Sequence, residues 1–131
     1  MNSDSVNSVS GAVGIIPVLY SSSATVTGDA VDLQGYEGAT ILVMSGTVSD
    51  GAYTYSLTEC DTSGGSYTAV AAADLIGTAT VLALTDDDEV NAFGYRGSKR
   101  FIKVVQVASG VSSGAQLGVI VLRTSPRHAP V

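Results

Sequence analysis

The sequence predicts an all-β protein, a single-domain antiparallel β-sandwich or jelly-roll-like barrel of about eight strands with flexible N- and C-terminal arms. Three observations carry this. Short runs rich in Val, Ile, Thr and Tyr are punctuated by Gly, Asp and Ser roughly every 8–12 residues. The apolar share of 45% is built largely from Ala and Val, without Trp, which suits thin, tightly packed sheets better than a deep ligand cavity. No segment has the length of a stable helix; the one helical candidate, Ala71-Ala72-Ala73-Asp74-Leu75-Ile76, is too short to stand alone. A chain of 131 residues fits one domain. At that size it can bury roughly two-thirds of the surface its unfolded form exposes.

Residues 1–13 are Ser-, Asn- and Gly-rich with isolated valines, and read as a flexible arm. The body is expected over 14–124. Its first strand, Ile15-Ile16-Pro17-Val18-Leu19-Tyr20, contains a proline that restricts it to an edge or a strand start. Ala24–Thr27 stops at Gly28-Asp29 and resumes at Ala30–Leu33, as a hairpin or a bulged strand. Ala39-Thr40-Ile41-Leu42-Val43-Met44-Ser45 is nearly all apolar and reads as a strand covered on both faces. Ala52–Cys60 alternates, with Tyr53, Tyr55 and Leu57 on one side and Thr54, Ser56 and Thr58 on the other.

A turn follows at Asp61–Ser66, where Gly supplies positive φ and Asp bonds its own backbone. Further strands are expected at Tyr67–Val70 and Ala79–Leu84. The strongest strand is Lys99–Val107, and Gln116–Arg123 is its expected hairpin partner across the Gly110–Gly114 turn. Residues 125–131, with two prolines, read as an extended tail.

Charge is distributed unevenly. All twelve acids lie between Asp4 and Glu89, and all six bases between Arg96 and Arg127, for a net charge of −6. Such a chain lacks the basic field that nucleic-acid binding needs, so no nucleic-acid partner is expected. Two readings of the asymmetry stay open. Folding brings the two sets together as solvated loops and strand faces, or it leaves an acidic end and a basic end able to dock on other surfaces.

No cofactor, metal site or catalytic machinery is expected. Cys60 stands alone, which excludes an internal disulfide and a cysteine-based metal site, and reads as a small buried or half-buried thiol in a strand. His128, the one histidine, lies far from it in sequence. Asp86-Asp87-Asp88-Glu89 is a dense acidic loop that lacks EF-hand spacing; it reads as solvated, with a weak cation site or a charged contact as the alternatives. Paired-carboxylate hydrolysis is disfavoured without aromatic sugar platforms. Gly64-Gly65 and Gly94-Tyr95-Arg96-Gly97 precede no helix, so neither is a phosphate-cradling loop.

The basic cluster Gly94–Arg100 reads as a solvated turn or as an anchor, since Tyr and Arg are enriched at interface hot spots. The candidate contact residues are therefore Tyr95, Arg96, Lys99 and Arg100, with Arg127 and His128 of the tail. The N-terminus lacks the positive start and apolar stretch of a secretion signal. No apolar run reaches the ~18–20 residues of a membrane span, so no membrane partner is expected and synthesis is placed in the cytoplasm.

Three stretches carry a resemblance: Ser66–Gly77, Gly94–Val104 and Pro126–Pro130. Together they are similar to small head decoration, cement or minor structural proteins of tailed double-stranded DNA bacteriophages, over roughly residues 15 to 131. The resemblance implies a β-domain on the outer surface of the phage head. It further implies a homotrimer at three-fold positions that binds the major capsid protein and clamps neighbouring subunits against the packaged DNA. Flexible arms that order on contact are compatible with that role. The alternative is a head-displayed binding module for host glycan or another receptor, which needs an outward aromatic patch from Tyr36, Tyr53, Tyr55 and Tyr67.

Overall fold

The computed structural model describes residues 9–77, 81–82 and 88–126. They form eleven strands: β1 (Ser10–Tyr20), β2 (Thr25–Thr27), β3 (Val31–Asp32), β4 (Tyr36–Val48), β5 (Ala52–Cys60), β6 (Thr68–Ala69), β7 (Leu75–Ile76), β8 (Val81–Leu82), β9 (Val90–Tyr95), β10 (Phe101–Ser109) and β11 (Ala115–Pro126). One turn of 3₁₀ helix, Ala72–Asp74, occupies the alanine-rich segment. The strands build two antiparallel sheets. Sheet A runs β1-β11-β4-β9-β7; sheet B runs β2-β10-β5-β6, with β3 also along β10 and β8 along β5. The protein is an antiparallel β-sandwich.

Alternation explains the core. Tyr53, Tyr55 and Leu57 of β5 point inward with Ile102 and Val104 of β10, against Ile41 and Val43 of β4 and Leu117, Val119 and Val121 of β11. Burying each such aliphatic side chain contributes roughly 1.5–3 kcal/mol. Gln106 also points inward, and its Oε1 accepts a 2.8 Å hydrogen bond from the Tyr55 hydroxyl. Burial, with the Tyr20 and Tyr53 rings nearby, pushes the Tyr55 hydroxyl well above the usual phenol range.

Pro17 does sit in an edge strand, and the β1–β11 register slips on either side of Ile15. Four expectations are corrected. β1 begins at Ser10, inside the stretch whose composition reads as a flexible arm: Ser10, Gly11, Ala12 and Val13 pair with Arg123, Leu122, Val121 and Ile120. A strongly apolar neighbour imposes pairing on a segment of weak intrinsic propensity. β11 likewise continues to Pro126, opposite Tyr36, into the expected tail.

β10 and β11 are not hairpin partners. They lie in different sheets, so Gly110–Gly114 is a crossover between the layers. The fourth correction concerns β4, read as covered on both faces: its inner side is buried, whereas Met44 on its outer side is exposed. β2 and β3 are one interrupted strand along β10, opposite Val105–Val107 and Phe101–Ile102. The β4–β5 connection also crosses between sheets. There Asp50 accepts backbone N–H bonds from Ser112, Ser113 and Gly114, at 2.9–3.2 Å, tying the two crossovers together.

Candidate interaction surfaces

The expected contact loop is braced from within. β9 delivers Tyr95 to the inner side of sheet A, where its ring is buried. Its hydroxyl donates to Glu59 Oε2 at 2.7 Å and accepts the Lys99 backbone N–H at 3.2 Å. Burial first, and the bond to Glu59 second, push this hydroxyl well above the usual phenol range. Tyr95 is therefore a support beneath the loop and not the surface contact expected of it. Its inward parity in β9 decides this.

Folding brings the two charge sets together. Arg100 grips Asp32 with two bonds, Nε to Oδ1 at 2.9 Å and Nη2 to Oδ2 at 2.8 Å. That guanidinium is the main reason the Asp32 carboxyl sits below its ordinary range. Lys99 Nζ lies 2.9 Å from Asp61 Oδ2, and this carboxylate raises the lysine. Arg96 Nε donates to the Ala73 carbonyl at 3.2 Å.

Lys103 lies over the Tyr67 ring at 4.3 Å, and Arg123 over the Tyr36 ring at 5.2 Å while bonding Ser10 Oγ at 2.7 Å. Of the two open readings of the charge asymmetry, mutual neutralisation describes these residues. Arg127, His128, Asp86 and Asp87 lie outside the described residues. Asp88 and Glu89 are exposed, and their backbone amides bond Gly46 O and Ser45 Oγ.

Between this loop and the segment Leu33–Gly38 is a crevice of about 450 Å³. Its three basic members are already engaged: Arg96 with the Ala73 carbonyl, Lys99 with Asp61 and Arg100 with Asp32. Cys60 ends β5 half-buried, as expected, with Sγ 3.9 Å from Thr62 Oγ1. The aromatic patch required of a glycan-binding module does not form. Tyr53 and Tyr55 are interior, and Tyr36 and Tyr67 each carry a cation over the ring.

Sequence reasoning missed the outer face of sheet A. Nine large apolar side chains are exposed among the described residues, and eight belong to sheet A: Val13, Ile16, Val18, Leu19, Met44, Ile76, Val90 and Ile120, each 41–62% exposed. The register aligns this face in rows across the strands. One row is Val13, Ile120, Leu42, Ala92. A second is Gly118, Met44, Val90, and a third Gly11, Leu122, Thr40, Gly94, Ile76. Gly46 and Gly118 floor a trough of about 350 Å³ walled by Pro17, Leu19, Met44 and Gln116. The signal was present: a strand apolar at successive positions demands two covered faces, and the chain supplies one.

No protein-family model matches the chain, and no curated protein matches it in sequence. Among solved structures, a chain from the disulfide-linked pili of Bacillus endospore appendages aligns over 90% of this chain and 89% of its own length, at 14% identity and a TM-score of 0.48. A chain from infectious bursal disease virus, Gx strain, aligns over 93% of this chain at 13% identity and a TM-score of 0.49. This chain spans 34% of that viral chain's length. A VP2 subviral particle of the same virus aligns at 12% identity and a TM-score of 0.33.

Proposed function

We propose that this chain is a structural virion protein that decorates the outside of a tailed-phage capsid and stabilises it by bridging neighbouring major capsid subunits, converting no substrate. The observation that carries the reading is the apolar outer face of sheet A. Contiguous apolar patches beyond a few hundred Å² mark surfaces that work covered by protein or membrane. The resemblance of Ser66–Gly77, Gly94–Val104 and Pro126–Pro130 to head decoration proteins supports placing that role on a phage head. Arg96, Lys99 and Arg100 fit the rim of a capsid contact. Half-exposed ion pairs such as Lys99–Asp61 are worth little, so their partners exchange at small cost.

The test is a comparison of particles made with and without the gene. Purified particles are expected to carry the protein in stoichiometric copies, and those lacking it to release DNA at lower temperature. Its absence from purified particles overturns the proposal.

A further inference from the structure

We infer that the outer face of sheet A is a self-association surface, on which a second copy of this chain packs its own sheet A face. The inference rests on the reading that this protein works covered, and it names what does the covering.

Charge is the first argument. The described strands of sheet A contain two charged residues, Glu37 and Arg123, and neither belongs to the three aligned rows. Asp29, Asp32, Asp50, Glu59 and Asp61 lie in sheet B or in connections, whereas Asp88 and Glu89, both exposed, stand at one end of the face beside Gly46 and Ser45. Two copies can therefore stack the three rows on one another without placing an acid among them, although each carries −6 overall. A partner selected by charge would find nothing to pair with in the three rows.

Shape is the second argument. A sheet face of aliphatic side chains is complementary to itself, since two such faces interdigitate about 10 Å apart, as inside any sandwich. The same patch then meets itself across a two-fold axis. The trough beside Gly118 and Gly46 offers space for a facing aliphatic side chain.

Area is the third. Four strands about 4.8 Å apart, over eight residues of β4 rising about 3.4 Å each, give a footprint of roughly 500 Å². Side chains standing out from it raise the accessible area toward the ~600 Å² per partner at the lower bound of specific interfaces.

The experiment is sedimentation of the purified full chain across a concentration series at about 0.05 and about 0.5 M salt. A particle of twice 13.2 kDa is expected. Its association should tighten at high salt, because salt screens the repulsion between like-charged copies, Asp88 and Glu89 at the rim included, while the three apolar rows carry no charge. Ile120→Lys, and separately the neutral pair Met44→Ser with Ile120→Ser, should weaken pairing at least about a hundredfold, the size expected when central interface side chains are lost. Circular dichroism and melting should be retained in these variants, and Val107→Lys on sheet B should pair normally.

A single-copy mass throughout the series overturns the inference. So does a three-copy mass, pairing that loosens with salt, or indifference to the sheet A variants. Because the measurement needs no particle, a negative result leaves the decoration proposal standing, and absence from virions leaves the pairing standing.

Discussion

The two outer faces of the sandwich share one core and one pleat, yet they are opposite surfaces. On sheet B the apolar side chains facing out are set among polar ones: Val107 lies between Thr25 and Thr54, Val105 between Thr27 and Ser56, and Phe101 between Asp32 and Cys60 with Arg100 over its ring. On sheet A, Ile120 lies between Val13 and Leu42, and Met44 is followed by Val90. Strict alternation in β5 makes one wet face and one dry face. Continuous apolarity in β4 and β11 makes two dry ones. An apolar run therefore reports how many faces want cover, and not how many the chain covers by itself.

The largest effect is expected where the connection between β2 and β3 meets the backbone of β1. A Cβ at Gly28 would collide with the Gly14 carbonyl oxygen, joining the β2–β3 connection to β1. Gly28→Val is expected to lose more than about 4 kcal/mol and fail to give a cooperative melt by circular dichroism. A variant that melts like wild type would show that the sheets are not clamped there.

Next in size is the polar pair in the shared core. Tyr55→Phe leaves Gln106 Oε1 buried without its donor, at a cost of about 1–3 kcal/mol in urea unfolding. Gln106 Nε2 already meets no partner among the described residues. Adding Gln106→Leu to Tyr55→Phe should therefore recover most of the loss, as replacing both partners often does. A double variant less stable than Tyr55→Phe alone would refute this.

Asp50 contributes through its carboxylate, held below the usual range chiefly by the Gly114 and Ser113 N–H groups. Asp32 is held down in the same direction, first by Arg100. A depressed carboxylate stabilises the fold above its unfolded value, about 3.9, and that stability is lost as pH falls through the lower folded value. Thermal melts of wild type should thus drop below about pH 4. Asp50→Ala should melt several degrees lower at neutral pH, and its deficit should shrink in acid. A deficit independent of pH would mean that packing, and not charge, is what Asp50 supplies.

The smallest effects on folding belong to the faces themselves. Met44→Thr on sheet A and Thr54→Val on sheet B should each shift the stability of dilute protein by no more than about 0.5 kcal/mol. Binding of an apolar dye should move oppositely, falling for Met44→Thr and rising for Thr54→Val. Equal dye responses would erase the distinction between the faces.

Much of this molecule is local, and the local part is legible. The period-2 pattern of β5, the edge position of Pro17 and the short helical turn at Ala72–Asp74 all follow from neighbouring residues, as does the turn after Cys60, although Gly64 and Gly65 make it without positive φ. So does the apolar character of β4 and β11. The contact loop was legible as a turn but not as a braced one, because the partners of its bases are remote: Arg100 meets Asp32 across 68 residues, and Tyr95 meets Glu59 across 36.

Neighbouring residues are enough to set most strands, their apolar and polar sides, and the separation of acids from bases along the chain. Long-range packing settles that β10 and β11 part into different layers, that Asp50 ties the two crossovers, and that Tyr95 turns inward. It also decides that the second dry side of β4 stays open. Alternation and turn chemistry act between adjacent residues, whereas the choice of sheet is made by which apolar sides can be buried together. That choice depends on every strand at once.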